Sequence, residues 1–309
     1  MIHPPPYPSP SRGEGTRINT PSPWKGEGWG GGGAWRTMLA LLLALATPAL
    51  AAPERVVSIH LCADQFVLGL ADRSQIAAVS RLARDPAQSY MADRVGELPE
   101  TRGGAEEVIA LRPDLVIAGA YSARATVRLL RSLGVPVHDL KLPASFAEIR
   151  NEVLSVADAL GHPARGRALV ADMEARLAAA ARAPPASRPA AILYQPGGVT
   201  MGAGLLEDEI IRRAGLDNLA TRLGLVGPGT VGLELLVLAA PDLVVFGEDP
   251  GAPPSLSTRL FDHPALARAA PGARRMALAP RLWTCGAWFT VEAVEALARA
   301  RHALATDRR

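Results

Sequence analysis

The chain has 309 residues and a formal net charge of +3, from 33 basic and 30 acidic residues. This near balance, together with the lack of a basic run with interleaved aromatic residues, disfavours nucleic-acid binding. The length is enough for one large domain or for two lobes.

Residues 1–51 are predicted to lie outside the folded protein. Residues 1–37 are low in complexity and have no periodic apolar face, so we interpret them as the product of a mis-called start, with translation beginning near Met38. Residues 38–51 combine the apolar run MLALLLALA with an A-x-A site ending at Ala51, which predicts a signal peptide cleaved there and a periplasmic location. The run is too short for a transmembrane helix, which needs about 20 apolar residues.

Residues 52–143 are predicted to form an N-terminal lobe. Short apolar runs rich in β-branched residues at 55–59, 76–80 and 114–119 predict buried strands, and helical patterns separate them. A further strand is expected near 135–140. This alternation is typical of a parallel sheet whose two faces are both covered by helices.

A helical connector and a second lobe follow. In the connector, residues 144–187, Ser145 and Glu148 form a capping box, and the pattern at 164–183 predicts a helix about 30 Å long. Residues 188–309 then resume the alternation of strand and helix and predict a C-terminal lobe. The predicted fold class is α/β, with two Rossmann-like βα lobes, central parallel sheets, one long helix between the lobes and a ligand cleft between them.

One unit of sequence occurs in both lobes. EEVIALRPDLVIAG begins at Glu106, and ELLVLAAPDLVVFG begins at Glu234; in both, the Glu stands seven positions before a Pro and the unit ends on a Gly. The Pro ends a helix and the apolar run predicts a central strand. A Glu in the first turn of a helix also complements the helix dipole, so the two glutamates have a purely structural alternative.

A candidate cleft follows from the strand order, because ligands of open α/β sheets bind beyond the carboxyl ends of the strands. Aromatic residues there suit a large, partly apolar ligand, and arginines suit carboxylate or phosphate groups. For each single residue the alternative is a solvated loop charge or a packing aromatic. The predicted cleft residues are His60, Cys62, Arg81, Arg84, Arg102, Tyr121, Tyr194, Arg281, Trp283 and Trp288.

The two cysteines, Cys62 and Cys285, allow three interpretations. A disulfide is the default for a pair in an exported protein. Free thiols in the cleft are the second, and a metal site formed with His60 is the weakest, because three ligands scattered over loops lack the usual spacing. No metal ion is therefore predicted. The common catalytic motifs G-x-S-x-G, H-E-x-x-H and C-x-x-C are absent, so we do not expect an enzyme.

The order RVVSIHLCADQFVLGLAD…IAAVS…GG…ALRPDLVIAG, followed by a long helix and a second lobe, resembles the periplasmic substrate-binding proteins of ABC importers for cobalamin and iron–siderophores. The resemblance covers Arg55 to about Leu304. It implies two rigid lobes joined by one helix, a metal chelate (cobalamin, a ferric siderophore or haem) as ligand, and no cofactor. It also implies a monomer that docks on a dimeric membrane permease through one Glu on each lobe. These correspond to Glu106 and Glu234, with Glu107 as the fallback for the first.

Two other functions remain open from the sequence. The same cleft would serve an exported sensing or signalling module that does not transport its ligand. An exported enzyme with Cys62 or Cys285 as a thiol nucleophile is the third possibility. Among chelates, the arginines around the predicted cleft favour an anionic one, whereas the overall pattern, with its short glycine and aromatic rim, resembles the cobalamin binders at least as well.

Overall fold

The computed structural model of the protein describes residues 52–181, 188–247 and 275–307, together with Pro264. The predicted low-complexity segment and signal peptide, and the last residues of the predicted connector, lie outside these ranges.

The N-terminal lobe contains a sheet whose five described strands all run parallel, in the order β3-β2-β1-β4-β5. Every residue of β1 and β4 is buried, because helices cover both faces of a parallel sheet. The strands are β1 (Val56–Ser58), β2 (Ile76–Ser80), β3 (Glu100–Thr101), β4 (Leu115–Ala118) and β5 (Val137–Asp139). The helices are α1 (Leu61–Leu70), α2 (Ala105–Ala110) and α3 (Arg124–Ser132).

Two helices form the connector, α4 (Phe146–Ala159) and α5 (Pro163–Ala181). The predicted cap of α4 is present: the backbone N–H of Glu148 donates to Ser145 Oγ over 3.2 Å. The two helices cross closely at Gly166, where a Cβ atom would overlap with the side chain of Ala157. Helix α5 has 19 residues, which corresponds to a length of about 29 Å.

The C-terminal lobe contains a second parallel sheet, in the order β11-β10-β6-β8 for the described strands, and a small antiparallel pair of β7 with β9. Its strands are β6 (Ala190–Tyr194), β7 (Val199–Met201), β8 (Asp217–Asn218), β9 (Pro228–Thr230), β10 (Leu243–Phe246) and β11 (Arg275–Ala277). Its helices are α6 (Leu206–Arg213), α7 (Leu219–Arg222), α8 (Leu233–Ala239) and α9 (Val291–Asp307). The predicted two-lobe α/β class is confirmed.

The two lobes share one hydrophobic core. The segment just before α9 belongs to the C-terminal lobe, yet its aromatic rings pack on the N-terminal lobe. Trp288 meets Phe66 of α1 edge-on, with 5.8 Å between ring centroids. Phe289 stacks on Tyr90, with centroids 4.0 Å apart and planes 8° from parallel. These contacts bury apolar area between the lobes, so the lobes are held as one body.

Helix α5 is also fastened to α9 by a charged contact. The Arg176 guanidinium donates to both carboxylate oxygens of Glu295, over 2.8 and 2.7 Å. This bidentate geometry fixes the angle between the two helices as well as their distance. No helix among the described ranges is both long and apolar enough to cross a membrane.

Candidate functional site

A cleft of about 440 Å³ lies between the two lobes. From the N-terminal side it is lined by Tyr121, after β4, and by the segment that follows β5. The C-terminal lobe contributes the end of β7, the start of α6 and the loop before α9. The apolar part of its lining consists of Leu142, Pro143, Ala144, Met201, Leu205, Leu206, Pro228 and Trp283.

A disulfide joins Cys62 of the N-terminal lobe to Cys285 of the C-terminal lobe, 223 positions apart in sequence. Cys62 stands in the first turn of α1 in the N-terminal lobe, and Cys285 lies in the loop before α9 and lines the cleft. The chain has no other cysteine, so neither a thiol nucleophile nor a thiolate metal ligand is available. In the described part of the chain, no group of His, Cys, Asp and Glu could hold a metal ion.

His60 begins helix α1 rather than binding a metal. Its Nδ1 accepts a hydrogen bond from the backbone N–H of Cys62 over 3.1 Å, as an N-cap does. Burial lowers the pKa of the ring, which favours the neutral imidazole that this acceptor role requires. The ring packs on Gly119, where a Cβ atom would overlap with it.

The second copy of the repeated unit ends in the same way. A Cβ atom at Gly247 would lie 3.1 Å from Cγ of Gln195 and 3.3 Å from Cζ2 of Trp283. In each lobe, therefore, the glycine that follows the PDLV strand lets the residue after the neighbouring strand approach closely. Close packing at the cleft end of each sheet explains why the unit ends on Gly twice.

None of the four predicted arginines is among the described residues that line the cleft. Arg84 instead pairs with Glu100 and donates to the carbonyl oxygens of the 96–98 loop. Arg81 and Arg102 are exposed near the carboxylate of Glu107, where their charges help to lower its pKa. These placements correct the prediction of an arginine-lined cleft.

The remaining arginine, Arg281, bridges the lobes beside the cleft. Its Nη1 donates to the carbonyl oxygen of Pro86 over 3.2 Å. This contact adds to the ring contacts that hold the segment before α9 on the N-terminal lobe.

The predicted aromatic residues divide into two pairs. Tyr121 is 77% exposed and lines the cleft, as does Trp283. Tyr194 is fully buried, and its hydroxyl donates to the carbonyl oxygen of Val231 over 2.9 Å. Trp288 is only 9% exposed because its ring lies between Phe66 and Phe289. Tyr194 and Trp288 are thus core residues, which corrects their predicted place in the cleft.

Glu207 is the cleft residue that the sequence did not reveal. It stands in the first turn of α6, lines the cleft and is half-buried. Burial raises the pKa of its carboxyl above the usual range. In the sequence it is the first of three consecutive acidic residues in the stretch LEDE. Nothing in that pattern distinguishes the acidic residue that lines the cleft from the other two.

Glu106 and Glu234 occupy equivalent places in the two lobes. Each is exposed in the first turn of a short helix whose N-cap is a glycine. Within the described ranges, neither side chain forms an ion pair. Glu107 is engaged instead: it accepts from the backbone N–H of Arg102 over 2.7 Å, and this bond lowers its pKa. Of the two neighbours, Glu106 is therefore the one available to a partner.

Comparison with known proteins gives consistent matches. The family described as "Periplasmic binding protein" matches residues 56–266. A protein of Halobacterium salinarum named "Cobalamin-binding protein" is 30% identical over 200 residues, which are 63% of this chain and 54% of that protein. The chain thus spans about half the length of the curated relatives it matches.

Solved structures extend the likeness over most of the described chain. A periplasmic heme-binding protein from Roseiflexus sp. RS-1 is 27% identical with a TM-score of 0.66, covering 81% of this chain and 99% of that one. A heme-binding protein from Pseudomonas aeruginosa is 27% identical with a TM-score of 0.63, covering 80% and 92%. The vitamin B12 binding protein of Vibrio cholerae shares the fold, with 20% identity, a TM-score of 0.63 and coverage of 82% and 98%.

Proposed function

Because this chain belongs to the periplasmic binding protein family, and its relatives are binding proteins rather than enzymes, we propose that it captures a metal chelate in the interlobe cleft. The chelate is its cargo, not a cofactor, and the protein delivers it to the permease dimer of an ABC importer. We further propose that it acts in the periplasm as a monomer. The observation that carries the proposal is the cleft itself, built from both lobes and walled by apolar and aromatic side chains.

A tetrapyrrole, cobalamin or haem, fits this wall better than a ferric siderophore does. Trp283, Met201 and Leu142 offer apolar surface to a large ring system, and Tyr121 adds an exposed aromatic face with a hydroxyl at its edge. Anionic siderophores call for cations, and no described arginine lines the cleft. The names of the relatives, which include cobalamin-binding and heme-binding proteins, support the same class of ligand.

Delivery would use Glu106 and Glu234. Both are exposed at the start of equivalent helices, so they present one carboxylate per lobe to a partner with two similar subunits. The same helices expose Ile109, Leu235 and Leu238 by 37%, 44% and 82%. Apolar contact would therefore accompany each charge, while the charges set the orientation and the rate of encounter.

The ligand part of the proposal is tested by titrating the full chain with cyanocobalamin, hemin and a set of ferric siderophores while tryptophan fluorescence is followed. We expect saturable quenching by a tetrapyrrole, and a weaker affinity in Trp283→Phe, because this residue lines the cleft. The matched variant Trp288→Phe should keep the wild-type affinity, since its ring lies in the core. No saturable response to any chelate would refute the proposed ligand class.

A sensing module would bind the same chelate without delivering it. Uptake of labelled ligand by proteoliposomes that contain the cognate permease separates the two functions. Ligand-dependent uptake that requires the binding protein supports delivery, and binding without any uptake favours sensing.

A further inference from the structure

Glu207 is a carboxyl group that faces the cleft without a protein partner. Its two acidic neighbours on α6 both have one: Asp208 accepts from Asn218 over 2.9 Å, and Glu209 pairs with Arg213 over 3.0 Å. For Glu207, the only donor within the described ranges is its own backbone N–H. No basic side chain there pairs with it.

The surroundings of Glu207 make this lack of a partner unfavourable. It also borders a small cavity whose other lining residues are aliphatic or aromatic, including Leu193, Ile210 and Leu278. An ionised carboxylate loses much of its hydration in such a place, and burial raises its pKa accordingly. Hydrogen-bond donors from a bound ligand would replace the lost water and favour the charged form.

The charge of the cleft decides which ligand edge fits. A carboxylate attracts N–H and O–H donors and repels other carboxylates. Cobalamin carries carboxamide groups around its corrin ring, whereas haem carries two carboxylates on its porphyrin. With Glu207 in the wall and no described arginine beside it, the cleft suits an amide edge.

Resting on the proposed function, we propose that Glu207 selects the ligand: its carboxylate accepts hydrogen bonds from amide groups at the edge of the chelate. It thereby favours an amide-bearing corrin over a tetrapyrrole that carries carboxylates. Trp283 and Met201 would bind the ring of either ligand, so the preference depends on Glu207.

The test uses isothermal titration calorimetry on the full chain with three probes. They are cyanocobalamin, a corrin of the same ring whose side-chain amides are hydrolysed to carboxylates, and hemin. The wild type should bind cyanocobalamin more tightly than the hydrolysed corrin. In Glu207→Gln, which keeps the size but removes the charge, cyanocobalamin should bind about tenfold more weakly, because a charge-assisted hydrogen bond becomes a neutral one. Both carboxylate-bearing probes should bind more tightly.

Glu209→Gln is the matched control, because it removes a charge from the same helix at a residue that does not line the cleft. It should leave all three affinities unchanged. Tight binding of cyanocobalamin that is the same in wild type and Glu207→Gln overturns the role of Glu207 and leaves the proposed function standing. So does a wild type that prefers hemin or the hydrolysed corrin. Failure of the wild type to bind any of the three overturns the proposed function itself.

Discussion

The disulfide between Cys62 and Cys285 closes most of the folded chain into one loop, and its removal gives the largest stability effect that we predict. The loop spans 223 positions. Chain entropy of the unfolded state then gives a stabilisation of about 5 kcal/mol. For a chain of this size each kcal/mol shifts Tm by about 2 °C, so we expect Tm to fall by about 10 °C.

The variant to measure is Cys62→Ser combined with Cys285→Ala. Alanine is chosen at position 285 because that side chain is only 5% exposed, and a buried hydroxyl would add a cost of its own. Urea unfolding should show a lower free energy of unfolding and a steeper dependence on urea, because the unfolded state is no longer cross-linked. Wild type treated with a reducing dithiol should approach the variant, and the variant should not respond to the dithiol. A loss below about 1 kcal/mol, or two titratable thiols in the untreated wild type, would refute the reasoning.

Three further predictions concern docking, pH and close packing. Glu106→Ala and Glu234→Ala should each slow permease-dependent uptake by about tenfold, a difference of about 1.4 kcal/mol, without changing ligand affinity in solution. Unaltered uptake would contradict the proposed docking role. Burial raises the pKa of Asp64 to about 7, from 3.8. The folded state therefore holds a proton there that the unfolded chain releases, and the free energy of unfolding should fall by up to about 4 kcal/mol as pH rises from 4 to 7. Asp64→Asn should flatten that slope in urea unfolding, and an unchanged slope would assign it to other groups. Gly119→Ala should lower the free energy of unfolding by about 1–3 kcal/mol, because the added Cβ atom would overlap with the imidazole of His60. In the same measurement the control Gly104→Ala should cost less than about 1 kcal/mol, because a Cβ atom there has no neighbour within contact distance.

The regular part of the fold could be predicted because its signals are local. Buried parallel strands need continuous apolar runs, and IAAVS at Ile76–Ser80 was predicted to the residue. The long helix was expected at 164–183 and runs over Pro163–Ala181. The strands that the sequence did not predict are short. Glu100–Thr101 and Asp217–Asn218 have two residues each and carry no apolar run, so only pairing with a neighbour defines them.

The site was harder to predict, because a side chain's direction depends on contacts that are distant in sequence. Trp283 and Trp288 lie five positions apart in one segment, yet only the first lines the cleft. The ring of Trp288 packs instead against α1 in the core, where Gly69 leaves room for it. Arg84 is likewise held by carbonyl groups of a loop more than ten positions away. The position of such residues after a predicted strand places them near the cleft, but it does not determine the direction of their side chains.

The repeated unit has equivalent copies in the two lobes, whereas the cleft is asymmetric. This difference suggests one role for the repeated unit, docking, and another for the cleft, ligand binding. The glutamates at Glu106 and Glu234 begin equivalent helices, and each unit ends on a glycine that admits a close neighbour. The cleft shows no such equivalence: Tyr121 lies on one side, with Glu207 and Trp283 on the other. An equivalent pair suits a partner made of two like subunits, whereas an asymmetric cleft suits a ligand whose edges differ. We therefore propose that the two-fold character of the sequence serves docking, and that the choice of ligand depends on residues outside the repeat.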